Sequence, residues 1–508
     1  MGFHKLLNQT TKTGAILISY ITLVLNTLSS VFLTRILLRE LGTDEFGLYQ
    51  MVNSVAHYVM ILDLGIATVM VRYLSEYRAK GDLEGERNAA AIIGVFSAVG
   101  LVLVVIAGLV IRANIGGIYQ TLNEAETAIS RQMVTVSIFQ FAFTIVNHYL
   151  IGAIQSYERF AFSSLVNLLG IVASFVLTVV IVKLGFGCVG ITVANLLAIT
   201  LQMLINGIMV FGVLKFRVRL TRWDRVLVKP ILGLMLAMLL QAIVSNVNSS
   251  VDKTLLGMFS LKEDVTKYAL AATVLTMFNT IPSIVSRFFQ PQITRLIVNQ
   301  ASPSQLTDVV IRVGRWQFIL VGAIFGAFLL FGKDFVVLWT SNPAIAPTVW
   351  LIVVMIMPAN MIPLIQTVCI SIMNAYDKRI YRSLILFGMT VLNIILSVIL
   401  IRAIGPLGAP IGTVIAYFLG NGLALNVYYG KVLHLEIGRM FQSIVRRTWI
   451  AILIATLVCA PFILIQRDSV WVFLLECAAF CAVYAALLCK FGLNREEKLV
   501  VAKLLRRA

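Results

Sequence analysis

Two carboxylates lie inside long apolar stretches of this sequence, and Asp63 is the deeper of the two. It stands between Ile61 and Ala67, where burial disfavours the charged form of a carboxyl group. We expect such a carboxylate to face the interior of a helix bundle and to take up a proton. Alternatively, Asp63 is the structural partner of Arg72 or another basic group. Both interpretations stay open, and Glu476, the second carboxylate, is assigned no function.

Polar side chains recur at intervals of three and four residues along three predicted helices, so each set lies on one helix face. The sets are Ser19, Thr22, Asn26 and Ser29 or Ser30; Gln241, Ser245, Asn248 and Asp252; and Thr276, Thr280, Ser283, Arg287 and Gln290. Small polar residues also pack membrane helices together, so the serines and threonines are open to either interpretation. For the larger side chains we favour a water-filled cavity, because they are costly against lipid. These are Asn248, Asp252, Arg287 and Gln290.

The sequence contains few of the residue patterns that enzymes need. Its histidines are scattered, and His57 and Asp63 would lie about 120° apart around a helix, so they do not stack as a pair. No phosphate-binding loop of the form G-x-x-x-x-G-K-S/T is present, which argues against an ATP-driven pump. The six cysteines include no Cys-x-x-Cys pair and are interpreted as small apolar residues. We therefore expect no catalytic site, no metal site and no cofactor.

The elements that must position these residues are transmembrane helices. Of the 508 residues, 59% are hydrophobic and 13% are charged, and the mean hydropathy is +0.94. A helix needs about twenty apolar residues to cross a bilayer, which leaves room for about fourteen spans. Apolar runs place them near residues 14–34, 47–71, 89–111, 132–152, 162–182, 188–211, 231–250, 266–286, 314–337, 346–371, 383–401, 408–430, 448–466 and 470–489.

The basic residues are distributed unevenly between the two sides of this predicted membrane protein. The formal net charge is +18, and 30 of the 41 lysines and arginines fall on one side. The positive-inside rule makes that side cytoplasmic, with both termini there. This explains the basic excess without a nucleic acid, which we do not expect as a partner. The basic run Lys215–Lys229 is interpreted as a topology determinant near anionic lipid head groups.

Two loops far apart in the sequence read alike. The stretch 152–163, GAIQSYERFAFS, contains Tyr157, Glu158 and Arg159; the stretch 371–383, SIMNAYDKRIYRS, contains Tyr376, Asp377 and Lys378, each 219 residues later. An even number of predicted spans separates the copies, so the repeats are parallel about an axis along the membrane normal. The sequence therefore predicts an all-α polytopic membrane protein with two six-helix lobes related by a pseudo-twofold axis, plus a C-terminal helix pair. The predicted boundaries are 1–229, 230–446 and 447–508.

Several motifs resemble those of the polysaccharide and O-antigen oligosaccharide flippases, within the multidrug/oligosaccharidyl-lipid/polysaccharide exporter superfamily. They are LTRILLRELGTDEFGLY at 33–49, Asp63-Leu-Gly65, VDKTLLG at 251–257, Tyr268-Ala, Ile281-Pro282 and FQPQI at 289–293. Their order and the two-lobed layout match across essentially the whole chain. Each motif alone has little specificity, whereas the set is specific to the superfamily.

The resemblance implies a transporter that moves a polyprenyl-diphosphate-linked oligosaccharide from the inner to the outer leaflet of a bacterial or archaeal plasma membrane. Guanidinium and ammonium groups suit a diphosphate, so it implies substrate contacts by Arg35, Lys253 and Arg287, with Asn248 and Gln290 beside them. Without an ATP motif, the drive is an ion gradient of protons or sodium. Asp63 and Asp252 are the implied coupling residues.

The mirrored loops are predicted to form a cytoplasmic gate, through Glu158, Arg159, Asp377 and Lys378. We expect the protein to act near glycosyltransferases and a polymerase of surface polysaccharides such as O-antigen or capsule. Within the superfamily, a lipid II-type peptidoglycan precursor flippase and a multidrug extruder are the alternatives. From a different class, a membrane-embedded polymerase or ligase would need a large external loop. The longest outer loop here, near residues 112–131, has about twenty residues, which argues against that class.

Overall fold

The computed structural model describes residues 12–223, 225–376, 378–464, 470–494 and 497–498. Every regular element within these ranges is a helix, as the sequence predicts. By its internal contacts the chain divides into two compact units, Met1–Thr266 and Lys267–Ala508, which we call the N-unit and the C-unit. The sequence-based divisions after residues 229 and 446 stay predictions.

In the described part of the N-unit, the helices are α1 Lys12–Ala56, α2 Ile66–Ala79, α3 Leu83–Ile118, α4 Glu124–Ser156, α5 Phe160–Lys183, α6 Gly187–Gly207 and α7 Arg225–Phe259. The end of α6 continues as a wider π-helical segment, Ile208–Val213. The core lies where α2 meets α3, α4 and α7, and it contains the fully buried Ile66, Met70, Ile93, Ile154 and Ile231. Apolar residues on these faces thus hold the N-unit together, while the outward apolar faces match a bilayer.

Helix α8, Lys262–Val298, begins in the N-unit and continues into the C-unit. The C-unit then contains α9 Pro303–Thr340, α10 Ala346–Ile365, α11 Thr367–Ala375, α12 Arg379–Ile404, α13 Gly408–Tyr417, α14 Leu425–Val432, α15 Ile437–Cys459 and α16 Val470–Leu487. A π-helical segment, Phe418–Ala424, joins α13 to α14. Proline lacks the backbone N–H that a helix interior needs, and Pro358 and Pro363 precede the break between α10 and α11.

Within the described residues, 12 helical stretches are long and apolar enough to cross a bilayer. One of them, Ile21–Ala79, has 59 residues, and at 1.5 Å per residue it is long enough for two crossings. Helix α8 has 37 residues and is not among the 12. Counting the long stretch twice and adding α8 gives the number of spans that the sequence predicts.

The predicted second span, 47–71, is interrupted. Helix α1 bends at Gly42, where φ is 77°, and then ends at Ala56. A 3-10 helix follows from His57 to Asp63, and both Leu64 and Gly65 adopt left-handed backbone conformations before α2 begins. A Cβ on Gly65 would lie 2.6 Å from Cβ of Met238 on α7, so only glycine allows this close approach. The break therefore occurs where α7 packs on the chain, and periodicity alone does not predict it.

The two similar loops have the same local geometry. Tyr157 caps the C-terminus of α4 and Arg159 is the N-cap residue of α5; Tyr376 caps α11 and Lys378 is the N-cap residue of α12. The backbone N–H of each tyrosine donates a 3.1 Å hydrogen bond, to the carbonyl of Ile154 and Ile372 respectively. This agreement supports the internal duplication, although Asp377 lies outside the described residues.

A buried ion pair fixes the last described residues to the C-unit. Arg315 on α9 is 2% exposed and donates to both carboxylate oxygens of Glu497, at 2.5 and 2.8 Å. The same guanidinium donates to the carbonyls of Ser443 and Gly492, at 2.6 and 2.8 Å. A bidentate pair with further acceptors offsets the cost of burying both charges. The C-terminal helices thus pack on α9 as part of the C-unit.

Candidate functional site

A polar cavity of about 310 Å³ lies inside the N-unit, among α1, α4, α5 and α6. Its polar lining consists of amide and hydroxyl side chains, contributed by Asn26, Ser29, Ser30, Gln140, Thr144, Ser174, Asn195 and Gln202. The remaining lining residues are apolar and include Phe175. No lining side chain is ionisable, so the cavity offers hydrogen bonds without a net charge.

The polar stripe predicted on the first helix faces this cavity in part. Asn26, Ser29 and Ser30 line it, whereas Thr22 is buried and the side chain of Ser19 lies outside the described residues. The hydroxyl of Ser30 donates to the carbonyl of Thr27 at 2.8 Å. Such local bonds use the hydroxyl proton and leave the oxygen available as an acceptor.

Three helices of the N-unit supply the rest of the hydrogen-bonding groups. Ser174 on α5 donates to Oδ1 of Asn195 on α6 at 2.7 Å, and Thr144 on α4 donates to the carbonyl of Gln140 at 2.8 Å. The side-chain amides of Asn26, Gln140 and Gln202 make no hydrogen bond within the described part of the chain. These three amides can therefore both donate to and accept from a molecule in the cavity.

An ionisable pair lies at the break between the 3-10 helix and α2. Oδ1 of Asp63 is 2.8 Å from Nδ1 of His148 on α4, and the two side chains are 20% and 33% exposed. Gln140, Thr144 and His148 are spaced four residues apart, so they share one face of α4. The first two line the cavity. The polar face of α4 therefore runs from the cavity to the Asp63–His148 pair, over about 12 Å of helix.

Sequence reasoning missed His148 as the partner of Asp63. The expected partners were Arg72 or another basic group, and His148 lies 85 residues away. A helical period relates only neighbours in sequence, so it gives no information about a contact over that distance. The available signal was the position of His148 inside a predicted span, 132–152, because an ionisable residue within a membrane is a functional candidate by default.

The polar face of α7 packs within the N-unit. Thr254 lies in a cluster of hydroxyl groups, 3.0 Å from Ser54 Oγ and 3.1 Å from Tyr58 OH, and Tyr119 donates to the carbonyl of Met51 at 2.8 Å. Next to this cluster, Asp252 is buried near Tyr58, and Lys253 is half-buried within electrostatic reach of His57. The two predicted site residues Asp252 and Lys253 are thus brought close to the 3-10 helix.

A family model for polysaccharide biosynthesis proteins matches residues 12–297, more than half of the chain. The match covers α1 to α8 and therefore the polar cavity and the Asp63–His148 pair. This chain belongs to the polysaccharide biosynthesis protein family. No functionally curated protein matches it in sequence.

Solved structures with the same fold are membrane transporters. The lipid II flippase MurJ, in an inward closed conformation, is similar over 93% of this chain and 97% of its own, with a TM-score of 0.72 and 12% identity. An inward-facing multidrug resistance MATE transporter is similar over 84% and 98%, with a TM-score of 0.59 and 15% identity. The Vibrio cholerae MATE transporter VcmN covers 84% and 99%, with a TM-score of 0.55 and 15% identity. The predicted all-α polytopic membrane fold and its superfamily are confirmed.

The other predicted site residues of this polysaccharide biosynthesis protein are dispersed. Arg35 on α1 is exposed, and Asn248 on α7 is half-buried. The side chains of Arg287 and Gln290 lie outside the described residues, although their backbone belongs to α8. In the predicted gate, Glu158 is exposed with φ of 58°, whereas Arg159 and Lys378 are half-buried. Their roles stay predictions.

The C-unit of this polysaccharide biosynthesis protein contains a cavity of a different kind. It measures about 300 Å³, lies among α8, α9, α10 and α16, and is lined entirely by apolar residues and cysteines. Phe278, Phe331 and Phe335 form much of its wall, with Cys477 and Cys481 on α16. It lacks the hydrogen-bonding groups that make the N-unit cavity a candidate site.

Proposed function

We propose that this protein is a flippase that moves a polyprenyl-diphosphate-linked oligosaccharide from the inner to the outer leaflet, for the synthesis of a cell-surface polysaccharide such as O-antigen or capsule. The observation that supports it is the match to the polysaccharide biosynthesis family in a chain with the fold of membrane transporters. The physical need is clear, because each unsatisfied polar group of a sugar head costs several kcal/mol in hydrocarbon. A polar route through the protein carries the head group while the lipid tail stays in the bilayer.

The diphosphate requires cations along that route. We propose that Arg35, Lys253 and Arg287 contact it, because guanidinium groups bind phosphate oxygens in a planar, bidentate manner and an ammonium group acts as a point charge. The amides of Asn248 and Gln290 are proposed to hydrogen-bond the same head group. In this proposal the substrate alternates between the two sides of the membrane by alternating access.

The drive is proposed to be an ion gradient, of protons or sodium, coupled through Asp63 and Asp252. One charge crossing 100 mV supplies about 2.3 kcal/mol. The contact of Asp63 with His148 supports this role, because the pair lies at an interruption of a membrane helix, where transporters commonly bind their coupling ions. Loss or gain of a proton or cation there changes a charge next to the break.

We further propose that the protein resides in the plasma (inner) membrane with both termini in the cytoplasm, and that it works beside glycosyltransferases and a polymerase. Glu158, Arg159, Asp377 and Lys378 are proposed to form the cytoplasmic gate. Exposed ion pairs contribute at most about 1 kcal/mol each, which suits a gate that must open.

The likeness in fold to the lipid II flippase makes a peptidoglycan precursor flippase the second candidate. The family match favours a polysaccharide precursor over it. A multidrug extruder for cations is disfavoured, since no carboxylate lines the N-unit cavity. A polymerase or ligase is disfavoured by the transporter fold of the structural relatives.

The test is outward movement of lipid-linked oligosaccharide in vesicles, with Arg287 as the probe. We expect Arg287→Gln to abolish movement, and Arg287→Lys to retain part of it because lysine lacks the planar fork. Membrane insertion, measured by protein amount, should be unchanged in both. If wild-type protein moves lipid II and not the polysaccharide precursor, the second candidate is correct. Full activity of Arg287→Gln would remove Arg287 from the site.

A further inference from the structure

The N-unit cavity is suited to an uncharged, hydroxyl-rich molecule. It has no cationic side chain for a diphosphate and no carboxylate for a cationic drug. It does have three amides without a partner within the described residues, Asn26, Gln140 and Gln202, and several hydroxyl oxygens. Amide side chains donate and accept at once, which matches a sugar hydroxyl that does the same.

The size of the cavity limits its occupant. Its volume of about 310 Å³ is at the lower end of small-molecule sites, which span about 300–1,000 Å³. Such a volume holds about one or two sugar rings and excludes a complete oligosaccharide. Phe175 on the wall provides an apolar surface, and the apolar face of a sugar ring can pack against it.

The depth of the cavity depends on Gly170. A Cβ built on this glycine would lie 1.6 Å from Nε2 of Gln202, so the amide of Gln202 rests directly on the backbone of α5. In the C-unit, the residue 219 positions later is Met389, and 219 positions after Gln202 is Asn421, whose Nδ2 donates to Sδ of Met389 at 3.2 Å. A buried methionine thus fills the C-unit position that glycine leaves open in the N-unit.

We infer that the N-unit cavity, among α1, α4, α5 and α6, binds an uncharged sugar unit of the transported head group. This inference rests on the proposed function, and it separates sugar recognition from diphosphate recognition. Asn26, Gln140 and Gln202 hydrogen-bond the sugar, Phe175 packs against its ring, and the diphosphate stays outside this cavity. The cavity therefore reads the identity of the glycan.

The experiment is ligand-observed saturation-transfer NMR on the full-length protein in lipid nanodiscs. The probes are glucose, galactose, rhamnose and N-acetylglucosamine, each titrated separately, with inorganic pyrophosphate as a charged competitor. We expect saturation transfer to at least one sugar and no displacement by pyrophosphate. A wild-type protein that gives no transfer to any of the four sugars, or a sugar signal that pyrophosphate displaces, would overturn the inference.

Two variants locate the binding. Gly170→Met introduces the residue of the C-unit and fills the cavity, whereas Gln202→Leu removes one amide at nearly constant volume. Each should weaken sugar binding about tenfold or more, as the loss of one or two hydrogen bonds predicts. The matched control is Gly388→Met on α12, because nothing lies within 4 Å of a Cβ at that position. Equal binding by wild type and Gln202→Leu would contradict the inference even if Gly170→Met fails to fold.

The same preparations distinguish this inference from the proposed function. Wild-type protein that binds a sugar through Gln202 and moves no lipid-linked oligosaccharide in vesicles contradicts the proposed function alone. Wild-type protein that moves the substrate, with Gly170→Met equally active and no sugar bound, contradicts the cavity inference alone.

Discussion

The fourth to sixth helices of the N-unit and their counterparts in the C-unit share a buried bridge between two amides. Asn206 on α6 donates to Asn147 on α4 at 2.8 Å, and Gln366 donates to Asn426 on α14 at 2.7 Å. Gln366 follows Asn147 by 219 residues, and Asn426 follows Asn206 by 220. These are the spacings of the two similar loops. The two halves have therefore kept one internal frame.

Around this common bridge, the two halves differ in chemistry. The position of His148, which pairs with Asp63, is occupied by Thr367 in the C-unit, where a neutral partner, Gln317, donates to it at 2.8 Å. The position of Gly170 is occupied by Met389, so an open polar cavity is replaced by a filled one. The comparison teaches that duplication preserved the packing and that the N-unit specialised in polar and ionisable groups.

The largest expected effect comes from removing the ionisable pair that only one half has at this position. Asp63→Asn keeps the shape of the side chain and abolishes its charge, so we expect substrate movement in vesicles to fall to background. Thr367→Val, at the equivalent of His148, should leave movement within about twofold, since it removes one neutral hydrogen bond. Normal movement by Asp63→Asn would mean that the halves do not differ in the way proposed.

The C-unit has an ionisable pair of its own, and we expect its role to be structural. Arg315→Gln leaves the carboxylate of Glu497 buried and unpaired, which should cost about 3–5 kcal/mol of stability. Heat-induced loss of solubilised protein measures this. The double variant Arg315→Met with Glu497→Leu should regain much of the stability, because it leaves no buried charge. A stable Arg315→Gln that fails in transport would instead assign Arg315 a functional role.

The two amide bridges should respond equally if the frame is shared. Asn206→Leu and Asn426→Leu each remove one interhelical hydrogen bond, worth about 0.6–2 kcal/mol in membrane proteins. We expect similar decreases in melting temperature of the solubilised protein for both. A decrease confined to one variant would show that the two bridges differ in their contribution.

The smallest effect concerns exposed ion pairs, of which each half has one example. Lys80 pairs with Glu76 after α2, and Arg439 pairs with Glu436 before α15. The hydrogen bond from Arg439 lowers the pKa of Glu436 below its ordinary value of 4.5. A lowered pKa in the folded state stabilises above the ordinary pKa, and this contribution disappears as pH falls through the lowered pKa. Glu436→Gln should remove this slight pH dependence from thermal unfolding curves and change little else.

Much of the fold follows from the sequence, because apolar run length and the distribution of basic residues are local quantities. The helical class, the spans and the repeated loop at Tyr157 and Tyr376 were predictable in this way. The break at His57–Gly65 was not, since it depends on the approach of Met238 from α7. The Asp63–His148 pair and the bridge from Ser174 to Asn195 join different helices, and a period along one helix carries no information about them.

The clamp around Arg315 also sets an order of events during synthesis. Its partner Glu497 follows 182 residues later, so at 5–20 residues per second the guanidinium waits about 10–35 s for its carboxylate. During that interval a charged group at the start of an apolar span has only water, lipid phosphates or backbone carbonyls as partners. The C-unit thus completes its packing as nearly the last step of translation, and a ribosome that stalls before residue 497 leaves an arginine without its counter-charge.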